Sequence, residues 1–241
     1  GVIIACIVFL ARRWGGLKRF KGLEMQGFPT RDAAIILIVE IILMKALFIM
    51  DAADMKLSNG EHFFLVSSWF SFWTEWFTPA QLETISHTAW WFHLVGIFAF
   101  LNYVPYSKHF HIFMAFPNTW YGSLDPAGKL NNMESVKSEV KMMMDPNANP
   151  YAATDAPLAR LGAKDVQDLS WKSLMDAYTC TECGRCTSVC PANQTGKKLS
   201  PRKIMMDTRD RLEEVGKNID QHGLEFQDGK SLLGDYISVE E

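Results

Sequence analysis

Four of the chain's five cysteines lie in one short run, Cys180-Thr-Glu-Cys183-Gly-Arg-Cys186-Thr-Ser-Val-Cys190-Pro191. Gaps of two, two and three residues with a closing proline are the ligand spacing of a cubane iron–sulfur cluster. Two-residue gaps let three thiolates wrap one cube, while amides of the small and polar residues between them offset the sulfide charge. The proline swings the fourth cysteine away from the first three. Cys190 therefore either closes this cluster itself or joins partners on another segment or chain. A disulfide scaffold is disfavoured, because cysteines this crowded cannot pair without strain. Zinc is also disfavoured: it usually takes two separated C-x2-C pairs or cysteines with histidines, and no second pair is present.

The elements around this run divide the 241 residues in two. The first 120 hold seven of the eight tryptophans and most of the phenylalanines, and the rest is polar. Net charge is −3, and no phosphate loop, dinucleotide fingerprint or internal repeat is present. A membrane part followed by a soluble part is expected, with no nucleic-acid partner. Both ends look cut, without a secretion signal at the start, so the sequence is expected to cover the middle of a longer protein. Residues 1–11 read as the end of a transmembrane helix, with Cys6 as a buried small hydrophobe. The basic loop over 12–31 carries Arg12, Arg13, Lys18, Arg19, Lys21 and Arg31 and is assigned to the cytoplasm by the positive-inside rule. A transmembrane helix over 32–53 follows, then an extracytoplasmic amphipathic segment over 54–83, rich in Phe and Trp, and a further span over 84–106.

Two ionisable groups, Glu40 and Lys45, interrupt the 32–53 span. Groups at that depth are costly and mark a bundle interior, a cofactor or a water path. They are candidates for quinone or proton work, against a structural pairing or a contact with a partner chain. Being five residues apart, about 140° round a helix, they do not face each other. His93 and His111 are 18 apart, five full turns, with an axial separation of about 27 Å. On one continuous helix they would present a histidine to each leaflet, as two stacked haems require, although satisfied interfacial histidines would give the same pattern. His87 and His109 fall off that face and read as interfacial groups or haem-propionate contacts. His62 and His222 read as surface residues.

Residues 107–170 are expected to be a proline-punctuated cytoplasmic linker arm containing one amphipathic helix, Met133 to Met144. The remaining 171–241 should form a helical 4Fe–4S ferredoxin-like domain continuing beyond 241. In it, Leu169 to Tyr178 forms a short helix before the cysteines. Ser200 and Pro201 start another, which stops near Val215 at Gly216, and Gly229 to Tyr236 is a further helical piece. No strand pattern of any length is present.

The stretch His93 to Pro117, HLVGIFAFLNYVPYSKHFHIFMAFP, resembles the membrane cytochrome b (gamma) subunit of respiratory nitrate reductase and its relatives. In that family one helix carries two haem-ligating histidines at this separation, the second after a turn like Pro105-Tyr106-Ser107-Lys108. The resemblance implies haem b, two per complete protein, at His93 and His111. The matching ligands stand on an earlier helix, and no histidine precedes His62, so that helix lies upstream of Gly1 or is absent. The join of this part to the cysteine run resembles the fused iron–sulfur oxidoreductases related to heterodisulfide reductase, including electron-transfer-flavoprotein:quinone oxidoreductases. In those a second cysteine run follows, which implies two 4Fe–4S clusters in the full protein.

The expected architecture is all-α: a transmembrane helical bundle, then an α-helical ferredoxin-type domain on the cytoplasmic side of the cell's inner membrane, in a multi-pass protein. The expected function is electron transfer between a cytoplasmic donor, a reduced flavoprotein, dithiol or iron–sulfur subunit, and menaquinone. Electrons would run through clusters at Cys180, Cys183, Cys186 and Cys190, then haem at His111 and His93. A haem-free membrane anchor carrying a cluster for a separate catalytic chain is the alternative, and a zinc or redox-sensing membrane protein the third.

Overall fold

Length and apolarity decide the first half of the chain. In a computed structural model, which describes residues 1–20, 22–59, 61–126, 128–129, 132–145 and 162–240, the helices are α1 (Val2–Trp14), α2 (Phe28–Leu57), α3 (Pro79–Tyr103), α4 (His111–Trp120), α5 (Glu134–Met144), α6 (Trp171–Thr179), α7 (Arg185–Val189), α8 (Pro191–Gln194) and α9 (Pro201–His222). No named strand occurs among the described residues, in keeping with the expected all-α class. The chain forms two compact units. One comprises Gly1–Met114 and Tyr178–Lys203, the other Ala115–Ala177 and Ile204–Glu241.

In the first unit α2 and α3 are long and apolar enough to cross a bilayer. Only 22% and 11% of their apolar windows are buried. A soluble core helix would be mostly buried, so these are helices whose apolar faces lack protein cover and suit lipid. Ile35, Ile38, Ile42 and Ile49 of α2 are exposed, as are Trp90, Trp91, Val95 and Phe98 of α3. Local chemistry sets the ends. Gly27, at φ +80°, precedes Phe28-Pro29 at the start of α2. Thr78 and Gln81 form a capping box on Pro79, and the Thr78 amide donates to Gln81 Oε1 at 2.9 Å.

The two long helices meet closely where α3 has no side chain. A Cβ on Gly96 would lie 2.5 Å from Leu43 Cδ2. Polar cross-links fix their register. Ser86 Oγ donates to Asp54 Oδ1 at 2.6 Å, His93 Nδ1 lies 2.8 Å from the Leu43 carbonyl, and the Tyr103 hydroxyl donates to Asp32 Oδ1 at 2.5 Å. Beyond α2, the aromatic segment forms 3-10 turns over Ser67–Trp76. It is tied back by Ser67 Oγ donating to Asp51 Oδ2 at 3.0 Å, and it leaves Trp69, Phe72 and Trp76 exposed, consistent with an amphipathic element.

The continuous helix expected to carry both His93 and His111 is not formed. α3 stops at Tyr103, 3-10 turns run over Val104–Tyr106 and Lys108–Phe110, and α4 starts at His111. Pro105 cannot donate to the helix ladder, and Ser107 accepts the His109 amide at 3.1 Å, restarting the chain in a new direction. The five-turn alignment of the two histidines therefore does not hold. Residues 112–120, expected in an extended arm, are helical with Pro117 inside α4. The expected Met133 to Met144 helix is present as α5. Pro146, Pro150 and Pro157 of the arm lie outside the described residues.

The second unit packs Val166, Val215, Leu232 and Ile237 into a small core, with Leu169, Leu174, Ile204, Leu212 and Ile219 against it. Arg211, 2% exposed, binds it from the polar side. Its guanidinium donates to Asp165 Oδ2 at 2.7 Å, Asp228 Oδ2 at 2.6 Å and the Lys230 carbonyl at 2.9 Å. The expected stop at Gly216 is overturned. α9 runs through it to His222 and ends before Gly223, at φ +90°. Leu212, Val215 and Ile219 keep the core face apolar across the glycine, and that packing outweighs a helix cost of about 1 kcal/mol. The piece expected over Gly229 to Tyr236 reduces to an irregular turn at Leu232–Tyr236, with Gly234 at φ +104°.

Candidate metal centre

The cysteine run leaves α6 at Thr179 and turns twice through the left-handed region, at Glu182 (φ +54°) and Gly184 (φ +72°). These turns point amides inward, and the Glu182 N–H donates to Cys180 Sγ at 3.4 Å. α7 then carries Cys186, and Cys190 caps α8, where Pro191 takes the first position. Among the described residues no three His, Cys, Asp or Glu side chains converge on a point as they would for a single ion. A four-iron cubane places one thiolate on each iron, so its ligands stand apart around a cube. Four cysteines in one loop, with amide and guanidinium donors nearby, fit that donor set. Burial raises the Cys183 thiol pKa, but hydrogen bonds with the Arg185 amide and Thr181 side chain, with the Arg185 and Arg19 charges, outweigh it and leave the thiol more acidic than usual.

Within the first unit this loop is docked on the basic ends of the apolar helices by two buried polar clamps. In the first, the Lys108 ammonium is paired with the Glu182 carboxylate, their side chains 6% and 2% exposed. The same ammonium donates to the Pro29 carbonyl at 2.6 Å, and the Lys108 amide donates to Asp32 Oδ2 at 3.0 Å. Burial lowers the Lys108 pKa, opposed by the charge of Glu182. In the second clamp, Arg202, also 2% exposed, donates through Nη2 to Glu24 Oε1 at 2.6 Å and through Nη1 to the Arg19 carbonyl. Ser200 Oγ donates to the same Glu24 oxygen at 3.2 Å, and the Arg202 amide donates to Thr187 Oγ1 at 3.1 Å. Burial raises the Glu24 carboxyl, yet its bonds with Arg202 hold it below the usual carboxylate range.

A cavity of about 250 Å³ lies where these parts meet, with Cys183, His109 and His111 among its lining residues. The His111 ring bonds through Nδ1 to the Lys108 carbonyl at 2.8 Å, as His93 does to Leu43. With Nδ1 as donor, each ring keeps Nε2 for a ligand, the orientation that metal-binding histidines receive from a carbonyl partner. That much fits haem iron. The second histidine of the cavity is His109, its ring centroid 5.8 Å from that of His111.

Glu40 and Lys45 are separated, as their spacing implied. Glu40 Oε1 is 3.8 Å from His109 Nε2, and His109 also packs on Phe100 with ring centroids 5.4 Å apart. Burial lowers the His109 pKa, opposed by Glu40. Lys45 lies instead on an open apolar groove with Ile49, Thr88 and Phe92. His87 lies on another groove beside Trp91, and Cys6 is 5% exposed inside its helix. Sequence reasoning missed Lys108, Glu182, Arg202 and Glu24. The available signal was a charged residue inside the cysteine run and another just after the Ser-Pro cap.

Residues 171–192 match the family model described as a 4Fe-4S binding domain. The chain is 37% identical over 132 residues to the probable iron-sulfur-binding oxidoreductase FadF of Bacillus subtilis (strain 168), covering 55% of this chain and 16% of that protein. It is 33% identical over 113 residues to the EtfAB:quinone oxidoreductase of Syntrophomonas wolfei subsp. wolfei, covering 47% of this chain and 13% of that one. It is also 42% identical over 53 residues to a probable membrane-anchored ferredoxin of Chromohalobacter salexigens, covering 22% of this chain and 8% of that protein. No solved structure matches it significantly. The chain thus spans less than a fifth of the length of these curated relatives. It carries a 4Fe–4S binding domain and is similar to iron–sulfur oxidoreductases of electron transfer.

Proposed function

We propose that this chain is the membrane and first-cluster part of a quinone-linked iron–sulfur oxidoreductase, passing electrons between a cytoplasmic donor and menaquinone. One observation carries the reading: the cysteine loop is clamped by buried ion pairs onto the ends of helices whose apolar faces suit lipid. A cluster held there sits at the bilayer boundary, where a soluble donor and a lipid-soluble acceptor can both reach it. The similarity to an EtfAB:quinone oxidoreductase supports quinone as that acceptor, and the donor is a flavoprotein or iron–sulfur subunit. Cys180, Cys183, Cys186 and Cys190 hold the cluster, and the full protein carries two. His111 and His93 hold haem b, with opposing ligands outside this chain, in a multi-pass protein of the inner membrane whose cluster faces the cytoplasm. Glu40 and Lys45 serve the quinone or its protons, so Lys45→Ala lowers quinol-linked turnover and leaves cluster signals intact.

Optical and EPR spectra of the full-length protein, oxidised and dithionite-reduced, test this. A b-type α-band with a reduced-cluster signal is expected. Cluster signal without a haem band makes His93 and His111 structural. If quinone reduction is missing as well, the protein is the haem-free anchor for a separate catalytic chain, which the membrane-anchored ferredoxin relative favours.

A further inference from the structure

We infer that the cavity beside Cys183 is the binding site for the quinone ring, an inference that rests on the quinone-linked reading above and adds its location. Three features of the cavity select the ligand. Its lining includes four guanidiniums, Arg12, Arg13, Arg19 and Arg185, and among the described residues none of the four forms an ion pair. The Nε–H of Arg19 has no hydrogen-bond partner and is sealed from solvent, so it meets an acceptor oxygen once the Arg19 side chain turns into the cavity that it lines. The rest of the wall is apolar, with Phe9 of α1 and Ile36 and Leu37 of α2 continuing toward the lipid-facing part of those helices.

A quinone ring satisfies all three, and at about 250 Å³ the cavity does not hold a porphyrin as well, so a haem on His111 would stand outside it. The quinone's carbonyl oxygens accept from the guanidiniums, its flat faces lie against apolar walls, and its isoprenoid tail follows Phe9 and Leu37 into the bilayer. The Arg13 and Arg19 guanidinium carbons each lie 4.9 Å from the Phe20 ring centroid, a cation–π contact that holds both in the cavity wall. The ring enters neutral and gains negative charge on its oxygens as electrons arrive, so the excess of fixed positive charge acts where the charge develops. A phospholipid would use the cations with its phosphate and the apolar wall with its acyl chains, but it would leave the nearby Cys183 without a role. Conversion of quinone to quinol takes two electrons, delivered singly by way of the cluster from the reduced donor protein, and two protons from cytoplasmic water.

The test is direct binding of a short-tail naphthoquinone to the oxidised, cluster-loaded full-length protein in phosphatidylcholine nanodiscs, by isothermal calorimetry. Arg19→Gln removes the unpartnered donor but keeps the Arg19 carbonyl that Arg202 uses. Arg12→Gln alters an exposed α1 residue and serves if the first variant loses its cluster. Each is expected to weaken binding about tenfold or more, with iron and sulfide content unchanged. Unchanged binding in Arg19→Gln and Arg12→Gln, with a loss in Lys45→Ala, moves the ring to the groove of α2 and α3 and overturns the location while sparing the quinone reading. Competition by added phosphatidylglycerol that disappears in Arg19→Gln, with naphthoquinone affinity unaltered by that substitution, assigns the cavity to a lipid phosphate and also overturns it. No naphthoquinone binding to the wild-type protein, with its cluster still reducible, removes the quinone reading itself.

Discussion

Lys108→Met should loosen the cysteine loop. The substitution keeps the length of an apolar stem but removes the cation that the Glu182 carboxylate faces. Both side chains are nearly sealed, at 6% and 2% exposure, so water cannot replace the lost partner. Breaking a buried pair from one side costs about 3–5 kcal/mol, because the other charge is left uncompensated. Converted at 1.4 kcal/mol per decade, local opening of residues 180–190 becomes about 10²- to 10⁴-fold more frequent. Where opening precedes cluster attack, chelator-driven loss of cluster absorbance reads that ratio directly. Lys108→Met should therefore lose its cluster at least about a hundredfold faster than wild type. The double variant Lys108→Met/Glu182→Gln should recover most of the difference, since both charges have gone. Lys56→Met removes an ion pair of similar length to Glu75, but with side chains 46% and 65% exposed, and should change the rate by no more than a few-fold. Equal rates in Lys108→Met and wild type, or additive effects in the double variant, would show that the pair does not hold the loop.

Further expectations concern the second unit and the turns. Asp165, Asp228 and Glu214 are held below their usual pKa by Arg211 and Lys230, Asp228 at about 2. Depressed carboxylates contribute stability that is full above their unfolded values near pH 4 and is lost as pH falls toward about 2. Hydrogen-exchange protection across 204–237 should decline over that window in wild type, and Asp228→Asn should lower protection at neutral pH and flatten the decline. Gly184→Ala should reduce cluster content, because a Cβ at φ +72° would also lie 2.5 Å from Arg202 Nη1 and 3.0 Å from the Arg19 carbonyl. Gly196→Ala, at φ +87° with nothing within 4 Å, carries only the left-handed strain of about 1–2 kcal/mol and should keep its cluster. If both variants load clusters equally, close packing against Arg202 is not what requires glycine at 184.

What was legible in the sequence was what is local. The cysteine spacing is complete within eleven residues, and the apolar runs of α2 and α3 announce themselves by length alone. The Ser200-Pro201 start is a one-turn signal, and α9 begins at that proline, whereas α3 starts at Pro79, ahead of the span expected from 84. Errors arose where a local signal was opposed or completed by distant groups. Gly216 reads as a helix stop until Leu212, Val215 and Ile219 are known to share one buried face. His93 and His111 read as one helix face until Ser107 is seen to cap a new start and Asp32, 76 residues from Lys108, to accept the Lys108 amide.

The same reasoning explains why the candidate site was half visible. Its ligands are consecutive, but its clamps join residues 74 and 178 apart in the chain, and a lone charge gives no hint of its partner at such separation. Glu182 is informative in retrospect. A carboxylate beside a cluster that is itself anionic raises the negative charge of the loop, so its presence at 1% exposure demands a buried cation. Lys108 is that cation, and it is tied in turn to Pro29 and Asp32 at the start of α2. The loop's charge is thus balanced by a residue of the turn after α3, and the cysteine loop can reach its docked form only when α2 and that turn are in place. Folding of the cysteine loop is thereby coupled to the placement of α2 and of the turn after α3.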